Sequence, residues 1–280
     1  MRLPHRLSGL TVVLTLAVGL LTPMAANMVG AQAGASDGSV GAPVVATVSS
    51  ARPHGFAPPA SGVRPDPARI ALRAERVARW TNVLVHVPHM LPALARPRAH
   101  AARVGVVPAG SKYYGIPIVA WVETVSSDGR WGLVELPYTW PRREGWIRIK
   151  GLSRDTTRVQ VEVDLSRHLL TVRKFGKVLF RAPGATGASY SPTPVGEYFV
   201  TDRVPFHVGS ALGSFAFGIS GIQPRLPAGW SGGNQLAIHG TNDPSSIGRS
   251  VSAGCVRVSE STLARLKPLL VYGTPIVVHA

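Results

Sequence analysis

From Val83 onward the apolar positions come in short runs, many of them alternating with polar ones, and broken by Gly, Pro, Asn and Asp. That is the pattern of half-buried strands joined by tight turns. Val83-Leu-Val-His-Val87, Val104-Gly-Val-Val107 and residues 118–125 read as strands. Asp128-Gly129 offers a tight turn before Trp131-Gly-Leu-Val-Glu-Leu136, and Gly145-Trp-Ile147 follows. A small all-β domain is expected over 83–154. A second set begins near Thr157. Val159, Val161 and Val163 alternate with polar residues, Asp164-Leu-Ser-Arg-His168 turns the chain, and Leu170 and Val172 return. Gly176 marks another turn before Val178-Leu-Phe180. Successive hairpins of this kind predict an antiparallel sheet in a second domain, 157–280.

Further along, Gly184-Ala-Thr186-Gly187 and Pro192-Thr-Pro-Val-Gly196 force turns, and Tyr198 and Val200 restart a strand. Residues 203–234 are rich in Gly, Pro and aromatics and read as one long loop, a lid or binding wall. Within it Phe215 and Phe217 are expected to pack the core, and Trp230 to stand in a substrate cleft. Ser259 is placed to cap a short helix with Glu260 in its first turn. Leu263, Leu266 and Leu270 lie on one side of that helix, Pro268 ends or kinks it, and Ile276-Val-Val-His279 forms a last strand.

The beginning of the chain has a different character. Arg2, His5 and Arg6 precede a nearly all-apolar run, 7–21, and Ala31-Gln-Ala33 is a small-x-small cleavage site, with Pro23-Met-Ala-Ala26 as an earlier alternative. Residues 1–33 are expected to be an export signal or an amino-terminal anchor, which places the rest outside the cytoplasm. Residues 34–82, rich in Pro, Ala and Arg, are expected to be a disordered linker. Its stretch 68–80 is either a short basic helix or solvated chain. Lys and Arg number 30 against 14 Asp and Glu, a net charge of +16. No helix-turn-helix, zinc-finger or aromatic RNA-binding pattern accompanies that charge, so no nucleic-acid partner is expected. Anionic envelope polymers and headgroups are the expected counterpart, with membrane contact only through an uncleaved first segment.

The chain has one cysteine, Cys255, which excludes an internal disulfide. His239 stands sixteen residues before it, at the end of the apolar run 235–238. A thiol becomes a strong nucleophile only as thiolate, and an imidazole can take its proton. Gly254 lets backbone approach a substrate, and the amides of Gly254 and Cys255 are the nearest oxyanion donors, each worth on the order of 3 kcal/mol in barrier. The spacings of His207, His239, Cys255 and His279 match no short ligand pair, so neither a metal nor a cofactor is expected.

His239-Gly-Thr241 together with Ser252-Ala-Gly-Cys-Val-Arg257 resembles the signature of the L,D-transpeptidase (YkuD-type) family, and Thr186-Gly187 with Thr193-Pro-Val-Gly196 resembles the segment found upstream of it. The resemblance covers 157–280. It implies a β-sandwich or barrel-like catalytic domain with one short helix after the catalytic Cys. It also implies a cysteine thioester on peptidoglycan stem peptides, donor and acceptor, with release of a terminal D-alanine. In that setting Cys255 and His239 are the catalytic pair. Gly254, Ser252, Arg257 and Gly240 shape the oxyanion and substrate site, with a carbonyl near Gly240 orienting the ring. Arg257 either grips a substrate carboxylate or makes a structural ion pair. Ala253 stands where many members carry a histidine, so no second imidazole is expected. Trp131-Gly-Leu-Val134 and Gly145-Trp-Ile147 resemble the closing half of a bacterial SH3-like domain. There Trp131 and Trp146 are expected in the core, and Trp140 is the ligand candidate. A cysteine carboxypeptidase or amidase on the same fold, and a non-catalytic wall-binding protein, are the alternative functions.

Overall fold

The computed structural model describes residues 81–207 and 209–280. The expected export segment, the basic stretch 68–80 and all but the end of the linker lie outside the described residues.

The first part of the fold is built from β1 (Asn82–His86), β2 (Leu91–Leu94), β3 (Arg103–Val107), β4 (Val119–Val122), β5 (Thr124–Val125), β6 (Trp131–Glu135), β7 (Glu144–Arg148) and β8 (Arg154–Thr157). They form a three-stranded sheet, β4-β1-β8, and a five-stranded sheet, β3-β2-β7-β6-β5. Leu84, Val85, Trp121, Val134 and Ile147 fill the space between. The expected place of two tryptophans is corrected here. In the β6–β7 pair Gly132 faces Ile147 and Val134 faces Gly145, whereas Leu133 faces Trp146 and Trp131 faces Arg148. Strand alternation sends Val134 and Ile147 inward and leaves Trp131 and Trp146 half-buried on the other side. Trp121 takes the core position instead, and Trp140 is 52% exposed.

The second part comprises β9 (Val159–Asp164), β10 (Leu169–Lys174), β11 (Lys177–Gly187), β12 (Gly196–Pro205), β13 (Phe215–Ile222), β14 (Gln235–His239), β15 (Ser250–Ser252), β16 (Val256–Val258), helix α1 (Glu260–Leu266) and β17 (Pro275–His279). They make a nine-stranded sheet in the order β10-β9-β17-β12-β13-β14-β16-β11-β15, and the added β10–β11 pairing closes it into a barrel. The fold is mainly β. Val161, Val163, Leu170, Val172, Ile276 and Val278 enter its core on alternate positions. Ser259 caps α1 by accepting from the Thr262 amide, and Leu263 and Leu266 are buried against the sheet.

Residues 203–234 are not one long loop. β12 runs to Pro205, and β13 occupies the middle, with Phe217 wholly buried and Phe215 packed partly against the core. The glycines that suggest a loop make room for neighbours. A Cβ at Gly221 would stand 2.6 Å from the Tyr198 ring, and one at Gly218 would stand 2.7 Å from Asp202 Oδ2.

The two cores meet at Phe199, which belongs to β12 yet packs into the first. Around it Arg142 lies among Glu123, Glu135, Glu144 and Glu197, and Glu135 accepts a hydrogen bond from Ser220 of β13.

Candidate active site

β14 and β16 run parallel, with Ile238 opposite Val256 and His239 opposite Arg257. Ile238 and Val256 turn into the core. By alternation Ala237, His239, Cys255 and Arg257 therefore share the other face. The intervening chain makes this return through local polar bonds. Thr241 Oγ1 accepts from the Asp243 amide at 3.0 Å, Pro244–Ser246 forms a 3-10 turn, and β15 lies parallel to β11.

His239 is 4% exposed. Its Nδ1 lies 2.5 Å from the Gly240 carbonyl oxygen. A carbonyl only accepts, so Nδ1 carries the hydrogen and Nε2 is left with its lone pair. Burial pushes the imidazole down to about 4, with the positive charge of Arg257 acting in the same direction and the Gly240 bond against it. Burial pushes the half-buried Cys255 thiol up, while a backbone hydrogen bond at Ala237 and the charge of Arg257 favour the thiolate. The thiol donates to the Gln235 carbonyl across 3.9 Å. At neutral pH the thiol and the imidazole both rest uncharged.

Gly254 serves the site differently from the expectation. Its N–H already donates to Ser252 Oγ at 3.1 Å, so it is not a free oxyanion donor. The amide of Cys255 has no acceptor among the described residues and is the remaining candidate. Gly254 is needed for its backbone: its φ is +115°, and a Cβ there would collide with the Gln223 side-chain amide. Ser252 Oγ in turn donates to the Cys255 carbonyl at 2.6 Å, bracing the turn. Gly240 allows close approach, because a Cβ would meet Glu260 and come within 2.9 Å of Gly213. Arg257 makes no ion pair among the described residues, and its buried Nε has no hydrogen-bond partner there, although its charge reaches Asp243. Trp230, 48% exposed, sits on the loop before β14 and donates Nε1 to the Gly233 carbonyl at 2.6 Å.

Supporting residues also emerge that sequence reasoning missed. Thr193 Oγ1 accepts from the Gly187 amide and donates to the Gly254 carbonyl, both at 2.8 Å. Gln223 Nε2 donates to the carbonyls of Ser191 and Pro192 while resting against Gly254. Gln235, whose carbonyl faces the thiol, is held through its side chain by Asp202 and Thr201. Thr193 was visible in a turn and in the segment that resembles the family's, but not its bond to Gly254, and nothing in the sequence marks Gln223.

Residues 158–278 match the L,D-transpeptidase catalytic domain, YkuD. This segment belongs to that family. The YkuD protein of Bacillus licheniformis is 29% identical over 120 residues, 43% of this chain and 65% of the relative. That of Bacillus subtilis is 27% identical over 119 residues, 42% of this chain and 65% of the relative. The chain therefore spans just under two thirds of the length of the curated relatives it matches. Among solved structures, it is similar to the catalytic domain of an L,D-transpeptidase from Enterococcus faecium, at 24% identity, 43% of this chain, 96% of that chain and a TM-score of 0.32. Another is an L,D-transpeptidase from Mycobacterium tuberculosis, at 18% identity, 77% of this chain, 86% of that chain and a TM-score of 0.37. His239 ends β14 and Cys255 immediately precedes β16, both within the residues that the family match spans.

Proposed function

We propose that the chain is an exported L,D-transpeptidase that cross-links peptidoglycan stem peptides through a thioester on Cys255. The observation that carries this reading is the shared face of β14 and β16. It holds a partly accessible thiol and an imidazole whose Nδ1 is tied to the Gly240 carbonyl.

His239 Nε2 takes the thiol proton as Sγ bonds to the carbonyl carbon between the third and fourth residues of a donor tetrapeptide. The oxyanion forms beside the Cys255 amide. The C–N bond then breaks, His239 returns the proton to the leaving amine, and D-alanine departs. An amine of the acceptor stem attacks the thioester, His239 removes its proton, and the thiol is regenerated. One amide is broken and one is made, with no change of oxidation state and no cofactor. Arg257, with its unpartnered Nε, suits a carboxylate of the substrate. The basic first segment supports export, and the amino-terminal β part, read as SH3-like, suits wall binding with anionic polymers as added partners.

Incubation with tetrapeptide muropeptides tests this directly. A dimer that has lost one terminal D-alanine is expected, together with a single carbapenem adduct absent from Cys255→Ala. Shortened monomers alone would assign the domain to a carboxypeptidase. No adduct and no product would leave a wall-binding protein.

A further inference from the structure

The junction between the two parts of the fold carries a role that the catalytic pair does not explain. Arg142 lies in the segment between β6 and β7 and is largely buried. It donates to Glu123 across 2.7 Å, to Glu144, and through Nε to the backbone carbonyl of Glu197 across 2.8 Å. Glu197 is the second residue of β12, just after the turn 192–196. That turn presents Thr193, whose hydroxyl holds the Gly254 carbonyl. Tyr198 fixes the same turn by donating toward the Pro194 and Val195 carbonyls at 3.2 and 3.3 Å.

A second strut runs beside the first. Glu135 accepts from Ser220 Oγ, the Tyr138 amide donates to the Ser220 carbonyl at 2.7 Å, and Ser220 Oγ accepts from the Phe199 amide at 3.0 Å. Ser220 lies on β13, which leads directly into Gln223, the side chain resting on Gly254. Both routes begin in the amino-terminal part and end on the glycine that sets the position of Cys255. They enter through different strands of the barrel.

We propose that the amino-terminal β part is a brace for the nucleophile turn, with Arg142 as its positioning residue. A largely buried charge of that part grips the backbone at the foot of the Thr193 turn. The turn in turn fixes Gly254, and Gly254 fixes the direction of the Cys255 thiol and amide. Displacements of about 1 Å at reacting groups are enough to cost on the order of 10²-fold in rate. The part read as a wall-binding module is then also a component of the active site's support. This inference rests on the reading of Cys255 as the nucleophile.

The test uses the full chain and two readouts. The first is the rate of dimer formation from tetrapeptide muropeptides, separated into kcat and KM. The second is the alkylation rate of Cys255 by iodoacetamide, which needs no substrate. Arg142→Lys keeps the charge but not the guanidinium fork, and Thr193→Val removes the hydroxyl from Gly254. Each is expected to lower kcat tenfold or more with KM within twofold, and to change alkylation by threefold or more. The double variant should be no worse than the worse single one, because both act through the same turn. Thr193→Ser should restore the rate. A melting-temperature loss in Arg142→Lys with kcat and alkylation unchanged overturns the brace, as do effects that multiply in the double variant. Should Arg142→Lys fail to fold, Ser220→Ala removes the second strut without touching the charges and must show the same kcat and alkylation split. Absence of any dimer from the wild type defeats the proposed function, while the alkylation arm still decides the brace.

Discussion

The nucleophile and the Arg142 junction answer burial in opposite ways. On the face of β14 and β16 it drives charge away: the His239 imidazole is held down to about 4 and the Cys255 thiol is pushed up. At the junction burial also weighs against charge, yet the Arg142 guanidinium is held firmly charged, by Glu123 above all. The difference lies in the partners. His239 has one carbonyl and Cys255 one distant carbonyl and an amide, so neither ion is repaid for leaving water. Arg142 reaches carboxylates and a backbone oxygen together, which does repay it. A group that must be charged only while substrate is bound stands among few partners, and a group that must hold two sheets together stands among many.

The largest effect should come from removing the neutral base. His239→Ala is expected to cut transpeptidation about 10²- to 10⁴-fold, with Cys255→Ala abolishing it, as read by dimer formation. A comparable loss in binding but not in rate would break the contrast drawn above. The pH profile sharpens it. The folded imidazole sits near 4, below its ordinary value of 6.5, so the unfolded chain takes the proton first. Stability is therefore full above about 6.5 and is lost as pH falls toward 4. That acid-side slope should shrink in His239→Ala, measured by denaturant titration across pH. Alkylation of Cys255 in the absence of substrate should rise only at a pH above that of an ordinary thiol, about 8.5. Rapid alkylation at pH 6 would mean a resting ion pair and would sink the neutral-pair account.

A smaller effect follows from the turn itself. Gly254→Ala puts a side chain at φ +115° and against the Gln223 amide. An activity loss on the order of 10²-fold is expected, with stability lowered by about 1–3 kcal/mol. Near-normal kcat would show that the turn tolerates displacement, and the support described for it would then be unnecessary.

What could be read from the chain depended on how local the cause was. The strands carrying Val159 to Val163 and Ile276 to Val278 follow from period-two alternation, and the helix from its Ser259 cap. The His239 and Cys255 motifs were legible because each is a short run with its own chemistry. β13 was hidden because Gly218 and Gly221 look like turn residues until Tyr198 and Asp202 are seen pressing on them. The occupied Gly254 amide was hidden too, since a serine two residues away can point anywhere before the turn is known. Trp131 and Trp146 misled because ring size suggests burial, whereas the β6–β7 register decides which face is inside. The Arg142 network was least legible, as its bond to the Glu197 carbonyl joins positions 55 residues apart.

The smallest effect tests the junction's side of the contrast. Burial pushes Glu135 up to about 8, against the opposing pull of Arg142 and the Ser220 bond, while Glu123 and Glu144 add repulsion. The folded value lies above the unfolded one, near 4.5, so the native state binds this proton more tightly. Its contribution to stability is present below about 4.5 and is lost as pH rises through about 8. Glu135→Gln mimics the protonated acid, keeps an oxygen for Ser220 and cannot ionise. It should leave stability unchanged at pH 5 and raise it by about 1 kcal/mol at pH 9, a shift of roughly 2–4 °C in melting temperature. A variant less stable than wild type at pH 9 would mean that the ionised carboxylate stabilises the fold, so that the folded chain holds this proton less tightly than the unfolded one. The junction would then hold its charges by Arg142 pairing alone, without a buried acid that keeps its proton.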